Sequence, residues 1–201
     1  MLDLLRLPCH PLVRLSIPYN KVFVTVPASL TTAPRVLVGI CRMNQGPQAL
    51  PSSPALLGLS LAAYGLSEFI LVWLERSTTT AAAAAIVTVI LLVAFTAGAL
   101  MIGGYAWRVP QTLTALAAAG SVVTLTGFGL RLLLVTVLPP PFPIMELAQF
   151  LLFPLVLWNM LIYANLYRHA LSGRPYHAFG LAAAYLLLLT AALRETYVLV
   201  A

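Results

Sequence analysis

AAAAAIVTVILLVAFTAGALMIGGYAW, residues 81–107, runs for 27 residues without a charged side chain. As an α-helix rising about 1.5 Å per residue it would be roughly 40 Å long, enough to cross a hydrocarbon core of about 30 Å with some tilt. In lipid every backbone N–H and C=O must be bonded internally, so only helices or closed barrels can span. The run is continuous instead of alternating, which points to a helix.

Four further apolar segments flank it: 54–74 (PALLGLSLAAYGLSEFILVWL), 112–138, 144–167 and 178–200. The third span is closed by four prolines in five residues, Pro139 to Pro143 around Phe142, which cannot continue a helix. The composition agrees, at 61% hydrophobic and only 8% charged, against a globular norm of about 25% charged. The predicted fold class is therefore an all-α integral membrane protein: a bundle of five transmembrane helices with an N-terminal cytoplasmic arm and a short interfacial helix.

Residues 1–26 are expected to form a poorly ordered arm, and 27–53 an interfacial amphipathic segment and linker ahead of the transmembrane domain 54–201. Within the linker, APRVLVGICRM (33–43) sets Val36, Leu37, Ile40 and Met43 on one side, with Arg35 and Arg42 turned towards headgroups. An irregular linker is the alternative. VFVTVPA after Lys21 is too short for a signal peptide and ends in proline, so no cleaved leader is expected.

The eleven Lys and Arg give a formal charge of +6, but they are scattered, without the basic stripe and interleaved aromatics of a nucleic-acid surface. They read as topology. With the N-terminus inside, the cytoplasmic side collects Arg6, Arg14, Lys21, Arg35, Arg42, Arg108, Arg168 and Arg174, leaving Arg76 alone in the outer loops. The expected location is the bacterial inner membrane, N-terminus cytoplasmic and C-terminus periplasmic. Trp73, Trp107 and Tyr167 near segment ends suggest an aromatic belt.

Charges inside the spans are the conspicuous exception. Counted from the inner ends at about 1.5 Å per residue, Glu68 lies about 21 Å up the first span, Arg131 about 28 Å up the third and Arg194 about 24 Å up the fifth. Glu146 starts the fourth span at the outer face, and Glu195 adjoins Arg194. One charge at the bilayer centre costs about 2.5–3.5 kcal/mol, less near the interface or with a partner. An intramembrane ion-pair layer of Glu68, Arg131, Glu146, Arg194 and Glu195 is therefore expected, with Glu68 paired to Arg131 or Arg194. The alternative is that each side chain reaches the headgroups on its own.

Other polar features carry weaker expectations. The four-residue spacings Ala94/Gly98 and Ala99/Gly103 permit close helix approach, within the bundle or at a dimer face. Asn159 and Asn165 could bond to neighbouring helices or line a substrate path. His169 and His177 flank SGRP, too few ligands for a zinc site, and Cys9 and Cys41 both precede the first span, which argues against a structural disulfide. There is no GxSxG, HExxH, paired intramembrane aspartate or P-loop. Neither catalysis, cofactor nor metal is expected.

GPQALPSS (46–53) before the first span and RVPQTLTALAAAG (108–120) opening the third resemble a group of small, uncharacterised proteobacterial inner-membrane proteins. In layout the chain is distantly similar to Yip1-like five-span membrane proteins. The resemblance covers about residues 27–200 and implies a non-enzymatic membrane protein working through partners or lipids; the vesicle-trafficking role of eukaryotic Yip1 relatives has no bacterial pathway to serve. Within the motif, Pro110 suits a first helical turn and Arg108 an interface, with Gln111 and Thr112 completing the start of the third span. The expected partners are the lipid bilayer and a membrane protein or a second copy of the chain. The functional expectation is a structural, interaction or assembly component; a small transporter or channel using the charged layer is the alternative, and an enzyme on lipid substrates a more remote one.

Overall fold

The computed structural model describes residues 28–137, 144–173 and 175–200, with the side chains of 28–33 and 144–149 outside that description. The arm 1–26, the proline cluster, Arg174 and the Glu146 side chain thus lie outside the described residues. Six helices follow one another: α1 (Ala28–Cys41), α2 (Pro54–Trp73), α3 (Thr78–Ile102), α4 (Val109–Val137), α5 (Ile144–Leu171) and α6 (Pro175–Val200). Short 3-10 turns, Pro47–Ala49 and Ala106–Arg108, lead into α2 and α4. Five of the helices, α2 to α6, are long and apolar enough to cross a membrane.

Local chemistry sets the helix ends. Pro54 and Pro175 stand at the first positions of α2 and α6, where a missing N–H costs nothing. α3 begins three residues earlier than the apolar pattern predicts, because the polar run after Arg76 caps the helix: the Ser77 hydroxyl accepts from the Thr80 N–H at 3.3 Å. It also ends five residues earlier than Trp107. Gly104 adopts φ +79, the Tyr105 N–H reaches back to the Leu100 carbonyl at 2.8 Å and the Gly104 N–H to that of Met101 at 3.1 Å. This is a Schellman turn, which favours a residue without Cβ at the left-handed position. α1 stops in the same way at Met43, φ 59, with the Asn44 N–H on the Gly39 carbonyl at 3.0 Å.

α4 is the organising helix, lying against α2 on one side and α5 on another; α3 packs on α2 and α6, and α5 on α6. α1 sits across α4 and α5 and buries Ile40 and Cys41, with Val36 and Leu37 against the same core. Its expected fourth contact, Met43, is exposed instead, because it forms the left-handed turn. Arg35 and Arg42 are exposed, as the amphipathic pattern requires. α5 clamps the end of α1 from the side: the Trp158 indole N–H donates to the Cys41 carbonyl at 3.2 Å, and the Asn165 amide to that of Met43 at 3.4 Å. Burial also pushes the Cys41 thiol above its ordinary pKa.

The bundle turns its greasiest side chains outward. Ile90 is 61% exposed, Leu187 70% and Phe150 78%. Such a surface is a liability in water and the ordinary outer face of a bundle in lipid.

Candidate functional site

Two helices that run the same way, α2 and α4, meet along one seam with a fixed register of 56 residues. The Thr124 hydroxyl donates to Glu68 Oε1 at 2.7 Å, Arg131 pairs with Glu75, and a Cβ on Gly120 would lie 2.8 Å from the Tyr64 ring. Contacts repeating at steps of four and seven residues are what closely packed helices at a shallow crossing angle produce.

The seam corrects the expected ion-pair layer. Glu68 pairs with neither Arg131 nor Arg194; its partner is Thr124. Seven residues separate Thr124 from Arg131, which is roughly 10 Å along a helix, so Glu68 and Arg131 lie at different heights. The seven-residue step carries Arg131 to Glu75 instead, a residue assigned from sequence to the loop after the first span. Among the described residues Arg131–Glu75 is the one ion pair. Arg194 and Glu195 are both exposed and join no ion pair there.

The pair is open to solvent on both sides, Arg131 at 26% and Glu75 at 43% side-chain exposure, so its coupling should be modest. Reversing either charge alone, Glu75→Arg or Arg131→Glu, is expected to lower the thermal midpoint of the purified protein, and the double reversal to restore most of it. The coupling energy of such a cycle should be about 1 kcal/mol at most. Purely additive losses would mean that the two charges do not interact.

Below the seam the interior is filled by tyrosines. Tyr64 from α2, Tyr163 and Tyr167 from α5 and Tyr185 from α6 are all buried. The Tyr163 and Tyr185 ring centroids are 5.5 Å apart, and Phe95 of α3 lies 5.6 Å from Tyr185 and 6.3 Å from Tyr167. Their hydroxyls are used across helices: Tyr64 with Tyr185 at 3.4 Å, Tyr167 with Thr96 at 3.0 Å, and Tyr163 to the Leu116 carbonyl at 3.4 Å. Tyr167 is thus no member of an aromatic belt, since it is wholly enclosed. The sequence signal for this cluster was the presence of tyrosines inside apolar spans, where a hydroxyl needs a partner; Tyr163 and Tyr167, four apart, share a helix face.

At the opposite end the RVPQT segment ties three elements together. The Arg108 guanidinium donates to the carbonyls of His169 and Ala170 and to the Ser172 hydroxyl at 2.9–3.2 Å. It thereby caps the carbonyl end of α5, where a cation is favoured. Its other faces lie over Trp107 and Tyr105. The Gln111 amide reaches the Leu50 carbonyl at 3.5 Å, while Pro110 stands in the first turn of α4 and the Thr112 hydroxyl donates back to the Arg108 carbonyl at 2.9 Å. These contacts hold the linker and the α5 end onto α4. His169 takes part through its carbonyl, and the ring of His177, in the first turn of α6, lies edge-on to Tyr176 at 4.6 Å.

Two buried oxygens, Asn159 Oδ1 and Thr88 Oγ1, have no partner among the described residues. No group of three His, Cys, Asp or Glu side chains comes together among the described residues. An apolar groove of about 310 Å³ opens between α1, α2 and α4, lined by Pro34, Leu37, Leu50, Leu56 and Ser60. The Ser60 hydroxyl is committed to the Leu56 carbonyl at 2.8 Å, so it does not point polarity into the groove. A wider hollow of about 610 Å³ lies at the other end, lined by Arg76, Thr190, Leu193, Arg194, Tyr197 and Val198. Comparison of the chain with protein-family models, with curated proteins and with solved structures finds no match.

Proposed function

We propose that the chain is a non-enzymatic component of the bacterial inner membrane, a structural or assembly subunit that works through a membrane-protein partner or a second copy of itself. The observation that carries this reading is the filled interior. Tyrosines from three helices close the middle of the bundle and spend their hydroxyls on one another and on neighbouring helices. Glu68 is held by Thr124 and Arg131 by Glu75, so the charges of α2 and α4 are occupied in joining these two helices, while Arg194 and Glu195 lie on the exposed side of α6. A carrier would direct such charges into a water-filled passage.

The outer surface supports the same reading. Ala94 is exposed, and a Cβ on Gly98 would meet nothing, so this small-residue pair faces away from the bundle and not into it. Gly103, by contrast, packs against Leu171. An outward small-residue face allows another helix to approach closely. The orientation proposed is N-terminus inside, because Arg35, Arg42, Arg108 and Arg168 stand at the end of the bundle away from the α2–α3 loop.

Affinity purification of the full chain in a mild detergent, with identification of what co-purifies, tests the proposal. A discrete partner at stoichiometric yield, or a stable homo-oligomer by light scattering, is the expected result. Reproducible solute uptake by liposomes containing the protein alone would overturn it in favour of a transporter.

A further inference from the structure

The end of the bundle that carries the α2–α3 loop holds two arginines facing one hollow. Arg76 lies just after α2 and Arg194 on the last turns of α6, and both line the cavity of about 610 Å³ together with Tyr197, Leu193 and Val198. Arg76 is held with its guanidinium carbon 5.5 Å from the centre of the Tyr197 ring, a contact that fixes its direction without neutralising it. Neither arginine has an ion pair among the described residues. No carboxylate lines the hollow: of those nearby, Glu75 pairs with Arg131, Glu68 accepts from Thr124, and Glu195 is exposed. Thr190 donates its hydroxyl to the Leu187 carbonyl at 2.9 Å, so the two guanidinium groups are the strong donors available.

Two cations sharing a cavity repel each other unless an anion sits between them. Guanidinium groups present paired N–H donors that match phosphate oxygens. Leu193 and Val198 give the hollow an apolar wall. Trp73, 54% exposed and stacked on Phe69, marks the same end of α2 as interfacial. A charged head beside an apolar wall, at the level where helices leave the hydrocarbon, fits an amphiphile whose phosphate rests at the helix ends and whose chains run down the bundle. We propose that Arg76 and Arg194 form a binding site for the phosphate of an anionic phospholipid, with Tyr197 positioning Arg76. This site requires only that the helices cross a bilayer and is independent of the partner proposed above.

The test uses the full chain, delipidated in detergent, and titrates phosphatidylglycerol, phosphatidylcholine and inorganic phosphate, with binding read by native mass spectrometry. Phosphatidylglycerol is expected to bind, and the Arg76→Gln/Arg194→Gln double variant to weaken it at least tenfold. Inorganic phosphate that binds with the same dependence on both arginines would keep the anion site but assign it to free phosphate, overturning the lipid. Equal binding of the two lipids, or unchanged phosphatidylglycerol binding in the double variant, would overturn the site altogether. Should the variant aggregate on size exclusion, a photoactivatable phosphatidylglycerol on the wild-type protein decides the matter. Labelling within 190–198 and next to Arg76 supports the site, and labelling confined to other helices overturns it.

Discussion

Tyr185→Ala is expected to lower the unfolding free energy of the bundle by about 3 kcal/mol, the range seen when a large buried side chain is cut back to a methyl group. Tyr185 is fully enclosed and touches the rings of Tyr163 and Phe95, from two different helices, besides meeting the Tyr64 hydroxyl from a third. Inside a membrane the loss is one of packing, because lipid tails are as apolar as the protein and give no hydrophobic drive between helices. Dispersion contacts stripped from four helices at once are therefore the relevant quantity. Tyr185→Phe separates the ring from its hydroxyl. That hydroxyl contact is long, at 3.4 Å, and interhelical hydrogen bonds in membranes average about 0.6 kcal/mol, so the phenylalanine variant should lose well under 1 kcal/mol. Reversible unfolding in mixed micelles, followed by tryptophan fluorescence, measures both. Equal losses for the two variants would show that the hydroxyl and not the ring holds the centre.

Length and composition make the five apolar helices legible from sequence, since a run such as 81–107 admits few other solutions in lipid. Helix ends were less legible, for a specific reason. Hydropathy treats Thr78, Thr79 and Thr80 as polar interruption, whereas their backbone belongs to the first turn of α3 and Ser77 caps it. In the opposite sense, hydropathy carries the span through Gly103 and Gly104, whose Schellman turn ends it at Ile102. Both signals were present as local chemistry, the serine before a threonine run and the paired glycines.

The partner of each charge was not legible, because it depends on the relative height of two helices that are remote in sequence. Counting from the inner ends put Glu68 and Arg131 about 7 Å apart in height, close enough to suggest pairing. The register of 56 puts Thr124 opposite Glu68 and Glu75 opposite Arg131. That register follows from where α4 can approach α2, and the approach is decided by Gly120, whose missing side chain leaves room for Tyr64. A sequence reading that weighs charges and hydropathy passes over a glycine of this kind. It notices Arg76 and Arg194 singly but does not bring them together, since they lie on either side of most of the chain and share a hollow only when α6 returns beside the α2–α3 loop.

Gly120→Val follows from the same geometry and is expected to destabilise the protein by about 3 kcal/mol, at the upper end of ordinary overpacking. A Cβ at this position would stand 2.6 Å from the Tyr163 hydroxyl and 2.8 Å from a ring carbon of Tyr64. Both tyrosines are buried, and valine adds two methyl groups with one preferred rotamer in a helix. α2 and α5 would have to move away from α4 together, loosening the Thr124–Glu68 and Tyr163–Leu116 contacts that lie within a turn of the clash. Gly120→Ala is the finer probe. Its methyl group meets the Tyr163 hydroxyl first and the Tyr64 ring next, at 2.6 and 2.8 Å, so Tyr163→Phe in the same chain removes the first obstruction and should recover part of the loss, giving a favourable coupling between two substitutions that are each destabilising. Strict additivity in that cycle would mean that α4 shifts as a whole to accommodate the methyl group, and the close approach of α4 to its neighbours at Gly120 would then not be what fixes the α2–α4 register.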